Sequence, residues 1–223
     1  MPVLEARGLT KRYRRGDVEV TGVDGLDLAL DAGEFVALVG PSGCGKSTLL
    51  HLCGAMDRPT AGDVRFEGRS IGDLDDDALT RLRRARVGFV FQFFNLLPSL
   101  TVGENIALPL LLAGVDPAAT AQRVQTWAER VGIGHRLDHV PSQLSGGEAQ
   151  RTAIARAVVH EPALLLADEP TGNLDSANGA RIVDLLHDVN HQSGAAILLA
   201  THDAAVAAAA GRVVMMRDGR IVS

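Results

Sequence analysis

Cysteine, aromatic residues and long apolar runs are all scarce in this chain of 223 residues. Cys44 and Cys53 are its only cysteines, too few and too close together for a disulfide framework, and no His or Cys cluster has zinc-ligand spacing. A reducing compartment is expected. Aromatics make up 4% of the residues, which leaves aliphatic side chains to fill the core. No run approaches the roughly 18 apolar residues that a membrane-spanning helix needs. The best candidate, Ile106 to Val115, is short and contains Pro109, and Met1 to Glu5 lacks the apolar stretch of a signal peptide. Any membrane role is therefore expected to come through a partner. Positive charge is also in deficit, with 22 Lys and Arg against 27 Asp and Glu, and a net charge of −5 argues against a dedicated nucleic-acid binder. The two basic clusters, Lys11, Arg12, Arg14 and Arg15, then Arg81, Arg83, Arg84 and Arg86, are short and read as solvated surface.

What is present is an ordinary globular balance of 46% hydrophobic and 22% charged residues, with 24 glycines. Leu26, Leu28 and Leu30 alternate with Asp27, Ala29 and Asp31, the pattern of a strand with one wet face, and Val18 and Val20 continue it upstream. The N-terminal part is expected to be antiparallel. Phe35 to Val39, Val87 to Phe91, Ala163 to Ala167 and Ala195 to Ala200 are continuous apolar runs, as in central strands covered on both faces. From about Leu100 to Arg151 the spacing of Ala121, Val124, Ala128 and Val131 beside Trp127 is helical, and no strand pattern interrupts it. Ala204 to Ala210 reads as helix, and Asp218-Gly219 between two apolar strands reads as a hairpin turn.

Gly40-Pro41-Ser42-Gly43-Cys44-Gly45-Lys46-Ser47 matches GxxxxGK[ST], follows a strand pattern and precedes the apolar Thr48-Leu49-Leu50. Glycines let backbone N–H groups converge on phosphate oxygens at a helix N-terminus; Lys46 reaches the β and γ phosphates, and the Ser47 hydroxyl suits Mg²⁺. Cys44 lies inside this loop, so its alkylation is expected to obstruct nucleotide. The loop alone leaves kinases, GTPases, helicases and transport ATPases open. A second acidic site narrows the choice: the Ala163 to Ala167 run ends in Asp168-Glu169, at the carboxyl end of a central strand where α/β sheets bind ligands. Asp168 suits Mg²⁺ and its waters, and Glu169 can polarise the water attacking a γ-phosphate. His202 and Gln92 follow two other central strands and reach the same edge, His202 toward the γ-phosphate and Gln92 toward Mg²⁺ and water.

Leu144-Ser145-Gly146-Gly147-Glu148-Ala149-Gln150-Arg151 decides the matter. Ser145 and Glu148 form a capping box at the start of a helix, yet two glycines in its first turn weaken it, which makes sense where a phosphate must approach the backbone. With these motifs in this order, the chain resembles the nucleotide-binding subunit of ABC transporters over nearly its whole length. The resemblance implies an α/β fold of the P-loop NTPase, ABC ATPase type. Its mainly parallel central sheet and N-terminal antiparallel β subdomain occupy residues 1–99 and 152–223, with a helical subdomain inserted at about 100–151. Gly40 to Thr48 would be the Walker A loop, Gln92 the Q-loop glutamine, Leu144 to Arg151 the signature with Ser145, Gly146 and Gly147 binding nucleotide, Leu164 to Asp168 the Walker B strand, and Glu169 the catalytic base. Asn173-Leu174-Asp175-Ser176 would be the D-loop and His202 the switch histidine, while Tyr13 would stack on adenine with Val20 beside it.

Further implications follow from the same resemblance. Two copies would sandwich two ATP molecules with Mg²⁺, each signature facing the other copy's Walker A loop. A groove over Gln92 to Pro98, including Phe93, Phe94, Leu96 and Leu97, would receive a helix of an integral membrane subunit, holding the protein on the inner, cytoplasmic face of the membrane. Gly88 to Pro98, Glu104-Asn105, Leu108-Pro109-Leu110 and Asp57-Arg58-Pro59-Thr60 look like the lipoprotein-release and macrolide-export branch, which handles amphiphilic cargo. A cell-division type of complex, in which the ATPase cycle moves an envelope domain and transports nothing, is the alternative. The chain departs from the family pattern at Glu148-Ala149, where glutamines are frequent.

Overall fold

The computed structural model describes residues 2–16 and 18–222; the readings made at Met1 and for the side chain of Arg15 lie outside what it describes. The chain opens with two long strands, β1 (Leu4–Arg15) and β2 (Val18–Leu30), then β3 (Phe35–Val39) and α1 (Lys46–Cys53). Next come β4 (Ala61–Phe66), β5 (Arg69–Ser70), α2 (Asp76–Arg86) and β6 (Val87–Val90). Helices α3 (Val102–Leu112) and α4 (Pro117–Arg130), two 3₁₀ turns and α5 (Gly146–Val158) separate β6 from β7 (Leu164–Asp168). The chain then runs through α6 (Ser176–Ser193), β8 (Ala196–Thr201), α7 (Ala204–Ala208), β9 (Arg212–Arg217) and β10 (Arg220–Ile221).

Two sheets result. The first is antiparallel, in the order β2-β1-β4-β5, with Leu4 opposite Leu30 and Tyr13 opposite Val20. In β2, Leu26, Leu28 and Leu30 are buried while Asp27 and Ala29 are exposed, as the alternation requires. The second sheet has the order β10-β9-β3-β8-β7-β6 and is parallel except for the β9–β10 hairpin, whose turn residues Asp218 and Gly219 both take positive φ. That is the geometry a two-residue hairpin needs to match strand twist.

The parallel strands are apolar on both sides because both sides are covered. Leu164, Leu166 and Leu198 join the core shared with the antiparallel sheet and α1, while Leu165, Ala167, Ile197 and Leu199 point into a second core with Ile106, Trp127, Ile154 and Ile182. Alternate residues of one strand thus serve two cores, which is why no polar position interrupts them. Side chains of this size contribute roughly 1.5–3 kcal/mol each on full burial.

The sequence reading passes over α2. Asp75 caps it by accepting the Ala78 N–H at 2.7 Å, and its Arg residues are not all solvated surface: Arg83 donates to the Ala55 carbonyl at 2.7 Å and Arg86 pairs with Glu67. Short-range charge runs hide such long-range partners. Among the described residues, no helix is long and apolar enough to cross a membrane.

Candidate functional site

The carboxyl ends of β3, β6, β7 and β8 meet at one edge of the parallel sheet, and each delivers a polar residue there. After β3 the loop reverses through Gly43 and Gly45, with φ of 78° and 105°. A Cβ at Gly45 would collide with the Gly22 carbonyl, and one at Gly40 with the Met216 carbonyl, so only glycine fits either place. Gly45 is the N-cap of α1 and has no side chain to bond the first turn, which leaves that helix end for an anion.

Lys46 opens α1 and is 7% exposed; its Nζ donates to the carbonyls of Gly40 at 2.8 Å and Pro41 at 3.2 Å. Glu169 faces it, Oε1 lying 3.8 Å from the ammonium, and its Oε2 meets His202 Nδ1 at 2.8 Å. The Glu169 backbone sits in the left-handed region at φ 46°, tied by its N–H to the Ala200 carbonyl at 2.9 Å and by its carbonyl to the Gly172 N–H at 3.0 Å. A non-glycine residue held there by neighbouring strands is the kind of local strain that marks functional positions. Asp168, one residue earlier, is half-buried. Burial pushes its carboxyl up, the Ser47 hydroxyl draws it back, and the Glu169 charge raises it again. Its Oδ1 is buried and has no hydrogen-bond partner among the described residues.

Lys46, Glu169 and His202 line a cleft of about 550 Å³ together with Tyr13, Val20, Ser42, Gly43, Gly45, Ser47, Thr48 and Gln92, while Gly40, Pro41 and Asp168 lie behind its wall. The Tyr13 hydroxyl donates to Asp57 Oδ2 at 3.1 Å, and Lys11 stands 5.1 Å over its ring. Gln92 is held from the far side: Asn173 Nδ2 donates to its carbonyl at 2.7 Å, and Arg156 donates to the carbonyls of Phe94 at 2.8 Å and Asn95 at 2.7 Å. Asn105, fully buried, pins the next stretch through the carbonyls of Leu97, Leu100 and Thr101. Phe93 is left 72% exposed and Leu97 43%, while Phe94 and Leu96 are half-buried.

Not every expected residue faces the cleft. Cys44 is buried with its sulfur packed against Gly40, so the loop turns its backbone rather than its side chain to the cleft, and alkylation there requires the sulfur to be uncovered first. Ser145, Gly146, Gly147 and Asp175 also lie outside it. Ser145 caps α5, with its Oγ accepting the Glu148 N–H at 3.3 Å. Asp175 caps α6, accepting the Asn178 N–H at 2.9 Å. The two caps are neighbours, since a Cβ at Gly147 would stand 3.1 Å from Asn178 Oδ1. In the other direction, sequence reasoning misses Thr21 and Gly22, which complete the cleft wall. An isolated glycine within a strand signals close backbone approach, and Gly22 has Thr48 and Tyr13 within 3.2 Å of where its Cβ would be.

Comparisons with known proteins identify the family. The chain is 48% identical over 221 residues to the lipoprotein-releasing system ATP-binding protein LolD of Geobacter metallireducens, covering 99% of this chain and 98% of that protein. It is 46% identical over 222 residues to the macrolide export ATP-binding/permease protein MacB of Hyphomonas neptunium, of whose length it spans only 34%. A solved dimeric structure of an ATP-binding cassette in a post-hydrolysis state, bound to ADP and Pi, superposes with a TM-score of 0.92 at 39% identity, covering 99% of this chain and 97% of that one. The ABC transporter family model matches residues 23–172, well over half of the chain and inclusive of the phosphate loop, Gln92, the Ser145 segment and Glu169, and the chain belongs to that family.

Proposed function

We propose that this chain binds and hydrolyses ATP as the energising subunit of a membrane transporter. The observation that carries this reading is the convergence of Lys46, Glu169, His202 and Gln92 on the one cleft that also contains the phosphate loop. Loop N–H groups and the N-terminus of α1 hold the phosphates, and Lys46 exchanges the carbonyls of Gly40 and Pro41 for phosphate oxygens. Tyr13 supplies a face for the adenine ring, with Val20 beside it. Glu169 accepts a proton from the attacking water, and His202 fixes the carboxylate through its Nδ1 contact. Gln92 orients the water from the opposite wall.

The donor set suits Mg²⁺. A hydroxyl at Ser47, the amide oxygen of Gln92 and an Asp168 oxygen that is buried without a partner among the described residues are hard oxygen ligands. Held by Ser47, Gln92 and Asp168, Mg²⁺ would supply neutralisation of phosphate charge.

A single chain holds half of each site, because Ser145, Gly146, Gly147 and Asp175 lie outside its own cleft. We assign them to the cleft of a second copy, in an ATP-dependent dimer that hydrolysis opens. The exposed Phe93 and Leu97 belong to the contact with an integral membrane subunit, through which the protein sits on the inner face of the membrane and drives export or extraction of an amphiphilic cargo.

The substitution Glu169→Gln tests these assignments together. With ATP, it should retain nucleotide, lose phosphate release by about 100-fold or more, run as a dimer by light scattering and bring a membrane protein with it from detergent extracts. A variant that binds ATP yet stays monomeric, alone and in extracts, removes the dimer reading. A membrane partner confined to division or envelope remodelling, with no cargo, favours the mechanical alternative.

A further inference from the structure

Gln150 is 0% exposed, and neither its side-chain oxygen nor its nitrogen has a hydrogen-bond partner among the described residues. Other buried polar side chains nearby are matched: Thr152 donates to the Glu148 carbonyl at 2.8 Å, and Asn105 makes four bonds. Ala149, Ala153, Ile154 and Ala157 of the same helix are all apolar. A side chain with an amide at this position carries a desolvation penalty that a methionine of the same shape would not, and such a group calls for a second arrangement in which it is paired.

The structure indicates where that partner lies. Helix α5 runs antiparallel to β6 and the segment after it: a Cβ on Gly88 would strike the Ala157 carbonyl, while one on Gly146 would stand 3.4 Å from Leu174, 3.8 Å from the Asn173 carbonyl and 4.0 Å from Phe94. Gln150 lies one turn from Gly146 and two from Ala157, on the same helical face. Between those two anchor points on the helix, its position interpolates to the junction where Asn173 grips the Gln92 carbonyl and where a Cβ on Gly172 would stand 3.3 Å from the Gln92 amide nitrogen. That junction joins the segment after Glu169 to the segment carrying Gln92.

We propose that Gln150 is a positioning residue of the hydrolytic site, whose buried amide pairs with the backbone of the Gln92–Asn173 junction when nucleotide occupies the phosphate loop. It would link the helix that begins at Ser145 to the residues placing the attacking water, and the inference rests on the ATPase reading above. The amide is a device for distinguishing the nucleotide-bound arrangement from the other.

The test is Gln150→Met in the full chain, assayed with the membrane partner recovered by Glu169→Gln. Expected are a melting temperature equal to or above that of the unsubstituted protein, ATP affinity within about twofold, and kcat about tenfold lower at unchanged KM. In parallel, the side-chain ¹⁵NH₂ pair of Gln150, assigned by its disappearance in the variant, should shift when ATP is added to Glu169→Gln protein. Three results overturn the inference: kcat within about twofold of the unsubstituted protein, a melting temperature lower by about 5 °C or more, which makes the amide a partner of the nucleotide-free fold, or an amide pair that ATP leaves unmoved. If the unsubstituted protein binds ATP but does not hydrolyse it, the ATPase reading falls and the inference with it; hydrolysis that the substitution leaves unchanged removes the inference alone.

Discussion

Two helix N-termini in this molecule carry glycines, and they are finished in opposite ways. Helix α1 begins at Gly45 with no side-chain cap and no acidic residue in its first turn; the charge next to it is Lys46. Helix α5 begins at Ser145 with a complete capping box: the Ser145 N–H donates to Glu148 Oε2 at 2.9 Å, and the Ser145 hydroxyl to the same oxygen at 2.8 Å. Arg136 adds a bond to Glu148 Oε1 at 2.8 Å. The first helix end has no side-chain cap, whereas the second has its Glu148 N–H and its Ser145 N–H met within the chain. On the dimer reading proposed above, the first end would take an anion from solution, and the second would meet only a phosphate held by a second copy.

The largest way to break this contrast is Gly45→Ala. The φ of 105° is unfavourable for alanine and the new methyl group meets the Gly22 carbonyl, so the loop must move. Strain of about 3 kcal/mol corresponds to roughly 100-fold in affinity. Fluorescent-nucleotide titration should show that loss while circular dichroism shows folded protein. Affinity within about threefold of the unsubstituted chain would mean that the N-terminus of α1 is not the phosphate site.

Ser145→Ala acts on the other helix and should leave nucleotide binding by the isolated chain unchanged, because Ser145 is not in the cleft. It removes the hydroxyl from the box at a cost of about 1 kcal/mol, or roughly 2–4 °C in melting temperature for a chain of this length. Thermal denaturation with and without ATP separates the two expectations. A drop in the ATP affinity of the isolated chain would show that the two helix ends are not independent.

The contrast also bears on what could be read in the sequence. The phosphate loop, the strand-ending Asp168-Glu169, the Ser145–Glu148 box and the Asp218-Gly219 turn are local: each is a few consecutive residues whose spacing carries its own physics. The alternation of Leu26, Leu28 and Leu30 belongs to the same class. Partners distant in sequence were not legible. Gly22 lies 23 positions from Gly45, Arg156 reaches the Phe94 carbonyl across 62 residues, and nothing in either segment announces the other. Helix α2 was hidden because its apolar face is narrow and its arginines, read as a run, suggest only solvent. Cys44 was legible as a loop member but not as a buried one, since the loop turns its side chain toward the core while its neighbours Gly43 and Gly45 face the cleft.

Glu148→Gln gives the smallest expected effect and the sharpest test of the charge difference between the two helix ends. Glutamine preserves the capping box, so the substitution isolates the carboxylate. Bonds from the Ser145 N–H and hydroxyl, with the Arg136 guanidinium behind them, hold that carboxyl down to about 2 from an ordinary value of 4.5. A carboxyl lowered on folding stabilises the fold above its unfolded value and ceases to do so as protonation overtakes the folded one. Its contribution should therefore be constant above about pH 5.5 and disappear between pH 4.5 and about 2. The site lies near the surface and the introduced amide would still cap the helix, so the difference should be only about 0.5–1 kcal/mol. Melting curves of the two proteins should run about 1–3 °C apart at neutral pH and converge in acid. Parallel curves down to pH 2 would mean that Glu148 does not neutralise this helix end. Convergence would leave α5 in the variant with an unneutralised N-terminus like that of α1, and its ATP-dependent dimer should then be tighter by about two- to fivefold.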